Sequence, residues 1–150
     1  MLQLNAYLSF NGTCADAMHF YERVLGGKIE ALMKYGETSM CDQMPPGCSD
    51  LVMHARLAVN GGVLLAGDAM PGQPFDGIKG VSMTLTYPTP EAAAPIFTAL
   101  SEGGQITMPL QKTFWAEAAG MLVDRFGTPW IVNGALIETT ADTATAPHLT

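Results

Sequence analysis

The stretch from Met108 to Asn133, MPLQKTFWAEAAGMLVDRFGTPWIVN, decides how the rest of the chain is read. Two half-apolar alternating runs flank a charged turn, Asp124-Arg125-Phe126-Gly127, and Pro129-Trp130 opens the second run. Alternation at period two marks strands with one buried face, so the stretch predicts a β-hairpin. It holds both tryptophans of the chain.

Upstream of the hairpin, Gln105 to Leu110 reads as a further strand. Gly103-Gly104 precedes it and ends a helix that opens at Thr89-Pro90 and runs to about Glu102. Proline is well tolerated at the first helical position, whereas Pro95 predicts a local kink. Before the helix, Lys79 to Tyr87 alternates, with Val81, Met83 and Leu85 on one face and Ser82, Thr84 and Thr86 on the other. The order is strand, helix, strand, strand, strand.

The first half of the chain gives the same order. Gln3 to Phe10 places Gln3, Asn5, Tyr7 and Ser9 opposite Leu4, Ala6, Leu8 and Phe10. Thr13, with Asp16 three residues on, suggests an N-cap for a helix from Cys14 to Leu25, ended by Gly26-Gly27. Lys28 to Lys34 reads as a strand with Ile29, Ala31 and Met33 on one side. Val52 to Val59 and Gly62 to Asp68 form a hairpin about Asn60-Gly61. Between them, Tyr35 to Asp50 loses its period and reads as a long loop or lid.

A fixed offset confirms duplication. Phe20 and Phe97 stand 77 residues apart, and at that offset Leu8 meets Leu85, Ala17 meets Ala94, Gly26-Gly27 meets Gly103-Gly104, and Ile29 meets Ile106. The reading is α+β: one domain over residues 1–138, made of two βαβββ modules (1–68 and 79–138) joined by a linker at 69–78, and forming an incomplete barrel. A loose tail is expected at 139–150. Each module has one sheet face covered by its helix and one mixed face left over. Pairing the modules around a shared cavity would line it with Asn5, Tyr7, His54, Arg56, Ser82, Thr84 and one face of the closing hairpin.

Composition sets limits on partners. The 150 residues are 48% apolar and 14% charged, with a formal charge of -7 and only seven scattered Lys and Arg. That charge disfavours nucleic acid and anionic membranes, both of which need clustered cations. No apolar run approaches a membrane span, and no signal-peptide pattern opens the chain, so the expected compartment is the cytoplasm. Three cysteines, Cys14, Cys41 and Cys48, read as free thiols. The ten methionines read as adaptable core filler.

The segments AYLSFNG, Phe20-Tyr21 before LGG, VMHARL, LLAGD, MPLQKTFW and DRFGTPW together resemble the PhnB-like branch of the vicinal oxygen chelate superfamily. That superfamily includes glyoxalase I, bleomycin-resistance proteins and extradiol dioxygenases. The resemblance covers about residues 2 to 137 and implies the duplicated βαβββ fold and a homodimer. Related sequences sometimes carry a ubiquinone-methyltransferase label, but no glycine-rich turn here leads from a strand into a helix as a Rossmann-type site requires. In metal-dependent members, His and Glu ligands come from the first and last strands of each half. The matching positions here are Asn5, Ser82, Leu65 or Ala66, and Ile131, none of them a His or carboxylate. That donor set is very poor for zinc, nickel or iron, so no metal and no cofactor is expected.

His54 is the one histidine on an expected sheet strand, and is either a general base or donor in the cavity or a residue paired within the sheet. Asp68 ends its strand near the cavity mouth, where it would partner His54 or Arg56 or else serve the turn. Trp130 is expected in the core, and Trp115 as a flat wall of the pocket. The first functional expectation is a metal-free protein that binds or sequesters a small, partly aromatic molecule, as bleomycin-resistance proteins do. The alternative is an enzyme of lyase, isomerase or dioxygenase type, with His54 as base or a metal at shifted positions such as His54 and Asp68.

Overall fold

In the computed structural model, which describes residues 1–138, the chain divides into two units, Met1–Lys79 and Gly80 onward. The tail expected at 139–150 lies outside the described residues. The first unit runs β1 (Ala6–Phe10), α1 (Cys14–Leu25), β2 (Lys28–Lys34), β3 (Val52–Val59) and β4 (Gly62–Asp68). Its sheet has the order β1-β4-β3-β2, with β1 parallel to β4 and the other pairs antiparallel. The second unit repeats this with β5 (Met83–Tyr87), α2 (Pro90–Ser101), β6 (Gln105–Gln111), β7 (Ala116–Val123) and β8 (Pro129–Leu136), in the order β5-β8-β7-β6. The fold is α+β with two βαβββ modules and two sheets that do not close on themselves.

Each helix covers one sheet face. In the first unit Leu8, Phe10, Met18, Tyr21 and Leu57 are buried, and in the second Phe97, Leu100, Leu122, Trp130 and Val132. Each large apolar side chain so buried contributes about 1.5–3 kcal/mol. The second glycine of each Gly-Gly pair marks a close approach: a Cβ on Gly27 would stand 2.5 Å from the Ala58 carbonyl oxygen, and one on Gly104 would strike Val123 and Asp124. The same backbone contact thus begins β2 and β6, which is why the sequence repeats Gly-Gly there.

The first strand of each unit is shorter than its alternation suggests, for one reason in both. The parallel register sets Ala6 beside Leu64 and Met83 beside Trp130, near the starts of β4 and β8, so earlier residues have no strand to pair with. Leu2 and Leu4 are consequently over 90% exposed. On β2 a register irregularity between Ile29 and Ala31 turns Ile29 to the helix side with Leu57, while Ala31 and Met33 pair with Arg56 and His54 on the other. The expected single face of Ile29, Ala31 and Met33 is therefore broken. The helix α2 runs without interruption through Pro95.

Two further expectations are corrected. Thr13 makes no side-chain cap bond. The orphan amide of Cys14 donates instead to Asp68 Oδ1 at 3.0 Å, because parallel pairing brings the end of β4 beside the start of α1. Cys41 and Cys48, read as free thiols, form a disulfide. Short 3₁₀ turns at Tyr35–Glu37 and Ser39–Gln43 fold the segment back, and the Tyr35 and Gly36 amides donate to Leu51 and Ser49 carbonyls at its base. This brings the two Cα atoms within 6.3 Å. Only Cys14 is free, and it is buried.

Candidate functional site

The open face of the first sheet is built from alternate residues of β1, β3 and β4. Tyr7 pairs with Leu65 and Ser9 with Gly67, while Arg56 lies opposite Leu65 in the β3–β4 ladder. The Tyr7 ring stacks on His54, centroids 6.2 Å apart at 26°. Its hydroxyl donates to the Met53 carbonyl at 3.2 Å. A Cβ at Gly67 would stand 2.5 Å from that oxygen, so glycine is required for the phenol to lie there. The residue is half exposed, with its hydroxyl against the sheet backbone at Met53. Burial raises the Tyr7 pKa, and the neighbouring Cys14, Tyr35 and Asp68 raise it further as negative charges.

Other residues expected at the site take separate roles. Asn5 Nδ2 donates to the Val63 carbonyl at 3.2 Å and ties down the start of β1. Arg56 Nε meets Glu30 Oε1 at 2.8 Å in a solvated pair. Asp68 touches neither His54 nor Arg56 by hydrogen bond. Its Oδ1 accepts from the amides of Gly12 and Cys14 and its Oδ2 from Val52, so the carboxylate serves the fold at the positive end of α1.

On the open face of the second sheet, Thr84 pairs with Ile131 and Thr86 with Asn133, and across the β7–β8 ladder Met121 and Ala119 oppose those two residues. Ser82 is exposed one residue ahead of β5. The indole of Trp115 donates from Nε1 to Asn133 Oδ1 at 3.0 Å, which holds the ring over this face. Locally its amide donates to Thr113 Oγ1 at 3.3 Å and its carbonyl accepts from Ile137 at 2.7 Å. Phe114, 79% exposed, meets the indole edge-on at 5.0 Å. Trp130 is instead buried in the core, its Nε1 donating to Asp124 Oδ2 at 2.8 Å. Asp124 Oδ1 also accepts from Phe126 and Thr128, so the DRFGTPW motif serves to close the turn.

The reading from sequence missed Asn133. Its signal was only a polar residue in phase with Ile131 on the open face of β8, and the partner that gives it significance is 18 residues away.

At the superfamily's metal-ligand positions the register separates the two candidates on β4: Leu65 faces the open side with Tyr7, while Ala66 pairs with Leu8 and Ala55 on the helix side. The positions are then Asn5 and Leu65 in the first unit and Ser82 and Ile131 in the second, and in neither unit do these side chains suit a metal ion. Among the described residues no three His, Cys, Asp or Glu side chains gather as a metal-holding group.

A family model described as 3-demethylubiquinone-9 3-methyltransferase matches residues 3–133. The chain belongs to this family. It is 31% identical over 140 residues to the protein YjdN of Escherichia coli strain K12, covering 88% of this chain and 95% of that one. A protein of Pseudomonas aeruginosa with a crystal structure is 44% identical with a TM-score of 0.82, over 89% of this chain and 97% of that one. A Bacillus cereus protein described as a putative 3-demethylubiquinone-9 3-methyltransferase, PhnB protein, is 26% identical with a TM-score of 0.74, over 88% and 98%. The fosfomycin resistance protein FosX of Listeria monocytogenes shares the fold, at 7% identity and a TM-score of 0.63, over 95% and 96%. The resemblance drawn from DRFGTPW and its companion segments is thereby borne out: this is a PhnB-like member of the vicinal oxygen chelate superfamily. Among the described residues no helix is long and apolar enough to cross a membrane.

Proposed function

We propose that this PhnB-like protein binds a small, partly aromatic molecule on its open sheet faces without using a metal. The observation that carries the reading is Trp115, an indole fixed over an open sheet face by its bond to Asn133 rather than packed beneath a helix. A preorganised aromatic wall beside exposed hydroxyls suits a flat ligand with a few polar atoms. The Tyr7–His54 stack gives the first unit's open face a similar aromatic character. The Asn, Ser, Leu and Ile set at the superfamily ligand positions supports metal independence.

The family's description names methyl transfer. Each sheet here contains one parallel pair, and the turn into α1 is Asn11-Gly12-Thr13. That architecture differs from the doubly wound parallel sheet on which Rossmann-type sites are built, which supports binding over that activity. One observation favours the enzymatic alternative: His54 sits beside a phenol of raised pKa on an open face. A group in that place can move a proton to or from a bound ligand.

The test is a ligand screen read by tryptophan fluorescence, alongside elemental analysis of protein purified without chelator. Quenching in the wild type that disappears in Trp115→Phe is expected, with no stoichiometric metal. A ligand that turns over, with turnover lost in His54→Gln, would move the assignment to the enzyme reading. A bound metal whose loss in His54→Gln removes ligand affinity would overturn metal-free binding.

A further inference from the structure

Asn133 is only 6% exposed, yet its register places it on the open face of the second sheet between Thr86 and Ala119. The atom facing it from Trp115 is an indole N–H, a donor with no acceptor capacity, so the amide oxygen must be the atom turned toward Trp115. This orientation leaves Nδ2, with two N–H donors, directed away from the indole. Among the described residues Nδ2 has no hydrogen-bond partner, and no fully buried side-chain nitrogen or oxygen is left without one. Nδ2 therefore reaches solvent from an otherwise buried residue. A neutral amide that is locked on one side and open on the other is a built donor site.

The surroundings define what it would bind. Thr84 and Thr86 carry exposed hydroxyls on the same face, and Ala119, Met121 and Ile131 make its apolar floor. The only charged side chain in β5, β7 and β8 is Glu117, which disfavours an anionic group. Resting on the binding reading above, we propose that Asn133 orients the ligand by donating from Nδ2 to a neutral oxygen in the plane of a flat ring that stacks on Trp115. The ligand class is an aryl or conjugated carbonyl compound. A single side chain thus fixes the stacking wall through Oδ1 and reads the ligand oxygen through Nδ2.

The experiment compares 9-fluorenone with fluorene, two flat tricyclic rings that differ by one carbonyl, in equilibrium dialysis with the wild-type protein and N133D. Aspartate keeps an acceptor for the Trp115 N–H and removes the two donors. The wild type is expected to favour fluorenone by about three- to tenfold, the range of one net hydrogen bond. N133D is expected to lose that preference and to bind the two rings alike. Equal wild-type affinity for the two rings overturns the role of Asn133 while the pocket stands, and that comparison needs no variant. Retained fluorenone preference in folded N133D overturns it as well. Binding of neither ring by the wild type defeats the pocket reading itself, and this proposal with it.

Discussion

Asp68 and Cys14 show how far a single side chain can be decided by its neighbours across the chain. Both oxygens of the Asp68 carboxylate accept backbone amides, from segments 16 to 56 residues away. Asp68→Asn would turn an amide N–H toward one of those donors and leave it unsatisfied in a buried place. The variant is expected to lose about 2–4 kcal/mol of stability, measured by urea unfolding at pH 7. A loss within 0.5 kcal/mol, the scale of an ordinary surface substitution, would contradict the anchoring role. Next to it, burial and then the Asp68 charge push the Cys14 thiol from 9.0 up to about 12. Because the folded-state value lies above the unfolded one, the protonated thiol favours folding below pH 9, and that contribution is lost as pH rises toward 12. The expectation that Trp115 walls a pocket came from its place in the stretch, but the acceptor that holds its indole was not legible, since nothing local pairs residue 115 with residue 133.

At the level of elements, the two helices and the last three strands of each unit follow directly from period, glycine pairs and turn signals. Thr89 caps α2 through its own hydroxyl, which accepts from Ala92 at 3.1 Å, so that cap is legible from four adjacent residues. The cap of α1 is not, because its acceptor arrives from the end of β4. The segment between β2 and β3 read as a long loop or lid, and it is closed at its base by backbone bonds and within by Cys41–Cys48. A titration with an aromatic disulfide reagent checks this. Unreduced, denatured protein is expected to yield one thiol, Cys14, and reduced protein three; the native protein should react at none below pH 9, given the burial of Cys14. Three reactive thiols in unreduced, denatured protein would restore the free-thiol reading.

For the whole molecule, the duplication at an offset of 77 residues predicted two equivalent units, and both sheets have the same strand order. Each sheet ends in unpaired edge strands, β1 and β2 in one and β5 and β6 in the other. Edges of this kind favour association, and with the superfamily's habit they support a homodimer. Sedimentation equilibrium is expected to give twice the 15.9 kDa chain mass, and a single species at 15.9 kDa across micromolar concentrations would rule the dimer out. The sequence by itself determined the βαβββ repeat, the helix and turn positions, the family and the absence of metal-ligand residue types at the superfamily positions. These depend on local periodicity, on glycine and on residue identity. Only the tertiary structure decided that Asp68 is an anchor, that Cys41 meets Cys48, that Leu65 rather than Ala66 faces the open side, and that Asn133 holds Trp115. Each of these depends on register or on chain return, and the distances those set are not written in any short stretch of residues.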